Sequence, residues 1–211
     1  MYKAALFDLD GVVINTETQY SVFWSHIGET YVPELPDFAN AIKGMTLVQI
    51  YDRFFAGKTD LQDKITAELN DFEKHMNYDY LPGFEDFMKV LKAAGVKTAV
   101  VTSSNQAKMQ NVYHAHPHYF QDLFDAILTS EDFACSKPDP DCYLKAAQRF
   151  ALSPADCVGF EDSINGLKAV EAAKMFCVGL ATTNPRQTVA KYADIVIENY
   201  LDNNKIRSLF V

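Results

Sequence analysis

Two acids, Asp8 and Asp10, close an apolar run and stand directly before Gly11 in the stretch ALFDLDGVV. Two carboxylates after an apolar segment and before Val12-Val13 make poor turn chemistry. Carboxylates so placed are of the type that serves as a nucleophile. Three further groups follow later apolar runs. Thr102, Ser103, Ser104 and Asn105 close the second; Lys137, in CSKPDP, comes some way after the third; Glu161 and Asp162 follow the fourth. The inventory is nucleophile-type acids, hydroxyls, a lysine and acids of the metal-ligand type.

The elements that must position them read as short apolar runs: AALF (4–7), TAVVT (98–102), AILTS (126–130), CVGF (157–160), FCVGL (176–180) and DIVIE (194–198). Unalternating runs of this kind fit strands buried on both faces. Amphipathic helices lie between them, with Phe84, Phe87, Met88 and Leu91 on one face and Tyr143, Ala146, Ala147 and Phe150 on another. The alternation predicts an α/β protein: a Rossmann-like parallel sheet core with helices on both faces. In such a sheet ligands bind beyond the carboxyl ends of the strands, where every group above falls. Residues 15–81 break the rhythm with helical periodicity alone: Tyr20, Phe23, Trp24 and Ile27; Leu47, Ile50, Tyr51 and Phe54; Leu61, Ile65, Leu69, Phe72 and Met76. The expected organisation is a core of residues 1–14 and 82–211 with a small all-helical domain inserted at 15–81. The two connections, near 15 and near 81, are hinge candidates.

Four motifs in this order, each just after a predicted strand, resemble those of the haloacid dehalogenase superfamily, in its phosphatase and β-phosphoglucomutase-like branch. The resemblance covers nearly the whole chain, and the insert after the first motif is similar to the family's small helical cap. It implies phosphoryl transfer, with Asp8 as the nucleophile that forms an aspartyl-phosphate and Asp10 protonating the leaving oxygen, then deprotonating the attacking water. It implies Mg²⁺, held by Asp8, the Asp10 carbonyl and Asp162, with Glu161 behind them or itself a ligand. Thr102, Ser103 and the Leu9–Asp10 backbone would hold the transferring oxygens, and Lys137 would offset their charge. Substrate contacts are expected from Thr16, Glu17, Tyr20, Gly44, Met45 and Thr46 in the cap, and from Ser104 and Asn105 in the core.

The chain departs from the mutase subgroup. Tyr20 stands in the register of its histidine, Leu47 in that of its cap arginine, and Asn105 and Gln106 where a lysine and an asparagine are usual. A mutase must grip two phosphates and turn a bisphosphate round; losing that arginine and lysine removes positive charge at the second. Hydrolysis of a sugar or polyol phosphate therefore ranks above a mutase. A metal-free dehalogenase is opposed by Asp10 and Asp162, and a phosphate sensor without turnover by the full set of catalytic residue types. One local departure is Lys174, where the family often has glycine at a left-handed helix end.

The 211 residues carry a net charge of −9 with 48 % hydrophobic content. That balance disfavours nucleic acid and anionic membranes as partners and leaves a small phosphorylated metabolite. The sequence shows no signal-peptide pattern and no apolar run of membrane-span length, and Cys135, Cys142, Cys157 and Cys177 lack metal spacing. A cytoplasmic protein with reduced thiols is expected, and nothing demands more than a monomer. His114, His116 and His118 surround Pro117 at spacings of a loop or frayed helix end.

Overall fold

The computed structural model describes residues 1–43, 45–202 and 204–211, so Gly44 lies outside the described residues. The chain opens with β1 (Ala4–Phe7) and leaves the sheet at once for α1 (Glu17–Tyr31), α2 (Phe38–Ala41), α3 (Leu47–Phe54) and α4 (Thr59–His75). It returns through α5 (Phe84–Ala93), β2 (Lys97–Val101), α6 (Gln106–Ala115), α7 (Tyr119–Leu123) and β3 (Ala126–Leu128). Then come α8 (Asp141–Arg149), β4 (Cys157–Glu161), α9 (Ile164–Ala172), β5 (Phe176–Leu180), α10 (Arg186–Val189), β6 (Ile195–Ile197) and α11 (Asn204–Arg207).

The six strands form one parallel sheet in the order β3-β2-β1-β4-β5-β6. The α/β reading therefore holds, and β1 is central, pairing Phe7 with Val100 on one side and Phe160 on the other. Its unalternating sequence has a direct cause: Ala5 and Phe7 face one apolar cluster, Ala4 and Leu6 the other, all fully buried. On the first face Phe7 stacks on Phe160 at 4.5 Å and meets the edge of Phe84 at 5.5 Å. Truncating a ring so enclosed costs about 3–5 kcal/mol. The predicted α5 stripe, Phe84, Phe87, Met88 and Leu91, packs in that layer. Tyr143, Ala146 and Ala147 of α8 pack in the other, with Phe150 half-buried beside them.

The four helices α1–α4 have an apolar cluster of their own, built on Phe23, Trp24, Ile27, Phe38, Ile50, Phe55 and Ile65. Two details differ from the periodicity. Phe55, just past α3, is fully buried in addition to the expected Phe54, which packs half-buried on the same cluster 5.0 Å from the Phe38 ring. Met76 packs in the sheet's layer, because α4 has already ended at His75. Tyr20 and Phe72 touch both clusters and join the insert to the sheet. The outgoing and returning connections run side by side: Asn15 N–H donates to Asp79 O (2.8 Å) and Leu81 N–H to Val13 O (2.9 Å).

Candidate active site

After β1 the chain curls into a tight loop. The Leu9 carbonyl accepts from Val13 N (2.9 Å) and Ile14 N (3.0 Å), and Gly11 N–H donates to Ile14 O (2.8 Å). Gly11 has φ +70°, and a Cβ there would strike the Asp162 carboxylate and stand 3.1 Å from Thr182 Oγ1. Only glycine meets both demands. Thr182 Oγ1 also donates to the Gly11 carbonyl at 2.6 Å. The ends of β1, β4 and β5 are thereby drawn to one point.

Lys137 crosses beneath that point. Its ammonium donates to Asp8 Oδ1 (2.6 Å), Glu161 Oε1 (2.5 Å) and the Val101 carbonyl (3.0 Å), and the residue is 5 % exposed. Burial works against the charge on Lys137, but Asp8 and Glu161 outweigh it and raise its pKa. Glu161 is fully spent within the protein: Oε1 also accepts from Tyr143 OH (2.9 Å), and Oε2 from Asp162 N, Ser163 N and Ser163 Oγ at 3.2–3.4 Å. Such saturation suits a residue that fixes Lys137 better than one that ligates a metal.

Asp8, Glu161 and Asp162 each place a carboxylate oxygen within 4.8 Å of the others. Burial pushes the Asp8 carboxyl up to about 7; Lys137 pulls against this, and Glu161 and Asp10 add to the rise. Asp162 is raised well above the usual carboxylate range by burial, with Asp8 and Glu161 adding and Thr183 Oγ1, which donates to Asp162 Oδ2, opposing. One lysine against three crowded acids leaves an excess of negative charge in a low-dielectric pocket. Asp8 Oδ2 and Asp162 Oδ1 accept no hydrogen bond from a described residue, nor does the Asp10 carbonyl. Oxygen donors with that charge fit a hard divalent cation such as Mg²⁺.

The Asp10 carboxylate has different partners. Thr16 Oγ1 donates to Oδ1 (2.6 Å), while Ser104 Oγ (3.2 Å) and Lys108 Nζ (2.5 Å) donate to Oδ2. Lys108 was not expected here; read locally, a lone lysine in the first turn of a helix is a solvated residue. Its signal was its place three residues beyond Asn105, whose side chain accepts from Lys108 N (2.9 Å) and starts α6 at the site. Lys108, 5 % exposed, supplies an ammonium a turn later than Asn105, and that charge is spent on Asp10. Glu73, Tyr143, Thr182 and Thr183 were likewise not anticipated, since each reaches the site from a distant segment.

The remaining expected residues fall as follows. Thr102 is buried, and its Oγ1 accepts from Ser104 N (3.0 Å). The N–H groups of Leu9, Asp10 and Ser103 donate to no acceptor among the described residues. Glu17 is paired with Lys43 at 3.2 Å, and Lys43 also donates to the Thr183 carbonyl at 3.2 Å, a second bridge from the insert to the sheet. Tyr20 gives its hydroxyl to Glu73 Oε1 (2.7 Å) and its ring face to Lys108, 4.7 Å away. Asn105 caps α6, and Thr46 forms a capping box with Gln49 at the start of α3. Met45 lines an open groove of about 440 Å³ with Gln49, Asp52, Arg53 and Asn165. His116, at the end of α6, donates a ring N–H to the Tyr78 carbonyl at 2.8 Å.

A profile of haloacid dehalogenase-like hydrolases matches residues 2–174. The chain belongs to that family. It is 31 % identical to β-phosphoglucomutase of Bacillus subtilis over 95 % of this chain and 91 % of that protein. It is 26 % identical to hexitol phosphatase B of Escherichia coli over 82 % of this chain and 80 % of that one. The crystal structure of a β-phosphoglucomutase from Clostridium difficile shares the fold, with a TM-score of 0.77 at 23 % identity over 100 % and 97 % of the two chains. No helix among the described residues is long and apolar enough to cross a membrane.

Proposed function

We propose that this hydrolase is a Mg²⁺-dependent phosphatase that acts on a small phosphorylated metabolite, a sugar or polyol phosphate, in the cytoplasm. The observation that carries the reading is the buried Asp8–Lys137 pair set beside Asp162, with Asp10 two residues along and held by partners of its own. Asp8 attacks phosphorus. Its bond to phosphorus forms as the bond to the ester oxygen breaks, and Asp10 gives a proton to the departing alkoxide. Asp10 then takes a proton from the water that splits the aspartyl-phosphate, returning Asp8 and releasing phosphate.

The N–H groups of Leu9, Asp10 and Ser103, with the Thr102 hydroxyl, are the donors for the equatorial oxygens. Lys137 offsets charge on Asp8 and on the phosphoryl group, and Glu161 and Tyr143 fix Lys137. Mg²⁺ would be held by Asp8, Asp162 and the Asp10 carbonyl, and when bound it cancels the repulsion between carboxylate and phosphate dianion. The segment 15–81 acts as the cap, meeting the core through Lys43 and Lys108 and shielding the cleft from water. Thr16, Glu17 and Tyr20 are the cap residues placed to meet the substrate.

A phosphosugar mutase is the second reading. It is favoured by the likeness to β-phosphoglucomutase and by Lys108 and Lys43 near the cleft. Each of those lysines already faces a carboxylate, Asp10 or Glu17, so neither supplies a free positive charge for a second phosphate. That keeps hydrolysis ahead. The test is phosphate release from a panel of sugar, polyol and nucleotide monophosphates, with and without Mg²⁺, beside Asp8→Asn. Metal-dependent release lost in the variant supports the phosphatase. Conversion of β-glucose 1-phosphate to glucose 6-phosphate with little free phosphate would establish the mutase instead.

A further inference from the structure

Lys108 is the strongest unassigned feature of the cleft. It comes from the core, on α6, yet its ammonium lies between a core acid and two insert residues. On one side is Asp10 Oδ2, at 2.5 Å. Across from it is the Tyr20 ring of α1, at 4.7 Å, and Tyr20 OH is bonded to Glu73 of α4 at 2.7 Å. Glu73 is itself largely buried, which raises its carboxyl above the usual range, and the Lys108 charge pulls against that rise. A lysine only 5 % exposed must satisfy its charge within the protein, and here it does so with one partner from each part of the molecule.

Asp10 needs such an anchor. Asp10 lies past the end of β1, at the start of the tight loop, so the direction of its carboxylate is set by what it bonds. Thr16 holds Oδ1 from the outgoing connection. On Oδ2, the Ser104 bond is longer than the Lys108 bond and uncharged at the donor. A charge-assisted bond is roughly twice as strong as a neutral one. The cation–π contact and the Glu73 charge draw the same ammonium toward the insert, so the insert's position bears on the hold over Asp10.

We propose that Lys108 is the positioning residue for Asp10, holding its carboxylate in the orientation that serves proton transfer, with Tyr20 and Glu73 as the insert's share of that hold. The proposal rests on Asp10 being the acid and base of the reaction, and it adds a named residue to that role. It deepens the function because water attack on the aspartyl-phosphate depends on a well-placed Asp10, whereas attack by Asp8 on an ester with a good leaving group does not.

The test uses p-nitrophenyl phosphate, whose leaving group departs without a proton. In Lys108→Met the first turnover, one nitrophenolate per active site, should persist as a burst. The steady rate that follows should fall by about 10²-fold, the usual contribution of general acid–base catalysis. The burst amplitude counts correctly folded sites. Lys108→Gln, which keeps a hydrogen-bond donor on a shorter chain, replaces the first variant if that one does not fold. A burst with a slowed steady rate supports the proposal. Equal loss of burst and steady rate, or no change in either, overturns it while leaving the phosphatase reading intact. Absence of any nitrophenolate from the wild-type protein with Mg²⁺ removes the phosphatase reading, and the proposal with it.

Discussion

Gly166 lies against the carboxylate of Glu161 so closely that a methyl group on its Cα would overlap the acid's terminal atoms. Glu161 in turn holds Lys137, and Lys137 holds Asp8. One missing side chain in α9 therefore sets the geometry at the end of β1. Gly166→Ala should push Glu161 off its place and cost about 1–3 kcal/mol, the usual range for overpacking. Activity should fall by more than stability alone explains, because Lys137 loses its fixed partner. Thermal unfolding and kcat on the best phosphate ester check both parts, and an unchanged kcat would deny Glu161 its part in fixing Lys137.

The Asp8 carboxyl is raised by burial from its ordinary value of 3.8 to about 7. A raised acid favours the folded state fully below pH 3.8 and loses that contribution as pH climbs through 7. Asp8→Asn removes the titrating charge. In chelator, its melting temperature relative to wild type should rise as pH climbs from 3.8 to about 7, the window set by those two values, and level off above it. A difference that is flat with pH would contradict the buried, charge-opposed environment assigned to Asp8. Activity of the variant should be absent at every pH.

Thr183 donates its hydroxyl to Asp162 Oδ2 and accepts Lys43 at its carbonyl. Removing the hydroxyl in Thr183→Val leaves Asp162 less constrained. Groups that orient a ligating carboxylate typically change metal affinity by about 10–100-fold. The expected result is weaker Mg²⁺ activation by that factor, with kcat at saturating metal little changed. Metal titration of activity, and of the Mg²⁺-induced rise in melting temperature, measures it.

Lys174 occupies the left-handed region at φ 59°, just past α9. The strain expected there from the missing glycine is present. A non-glycine residue pays about 1–2 kcal/mol for that conformation, partly offset by the greater flexibility of glycine when unfolded. Lys174→Gly should therefore stabilise the protein by about 0.5–1 kcal/mol. Thermal unfolding decides it, and a lower melting temperature would locate another role for the lysine side chain.

Much of this protein is written locally. A run such as AALF declares a strand buried on both sides, because each residue's apolarity is visible without its neighbours in space. The acids, hydroxyls and lysine that follow such runs could be gathered at one crevice, since parallel strands end on the same edge of a sheet. The left-handed turn at Lys174 was legible through the family resemblance, in which glycine is often found at that helix end.

Other relationships were closed to sequence. Lys108 meets Asp10 across 98 positions, and Lys137 meets Asp8 across 129. For Lys137 its neighbourhood of prolines and acids marked a site; for Lys108 the only local mark was its place three residues beyond the α6 cap Asn105, and a lysine in the first turn of a helix normally faces water. Its burial depends on the strand order that puts β2 beside β1 and on the insert folding back over α6. The local chain determined which residues were fit for phosphoryl chemistry and which elements would carry them. Only the tertiary structure decided which charges neutralise one another, because electrostatic pairing acts through space and takes its strength from burial that no single segment creates.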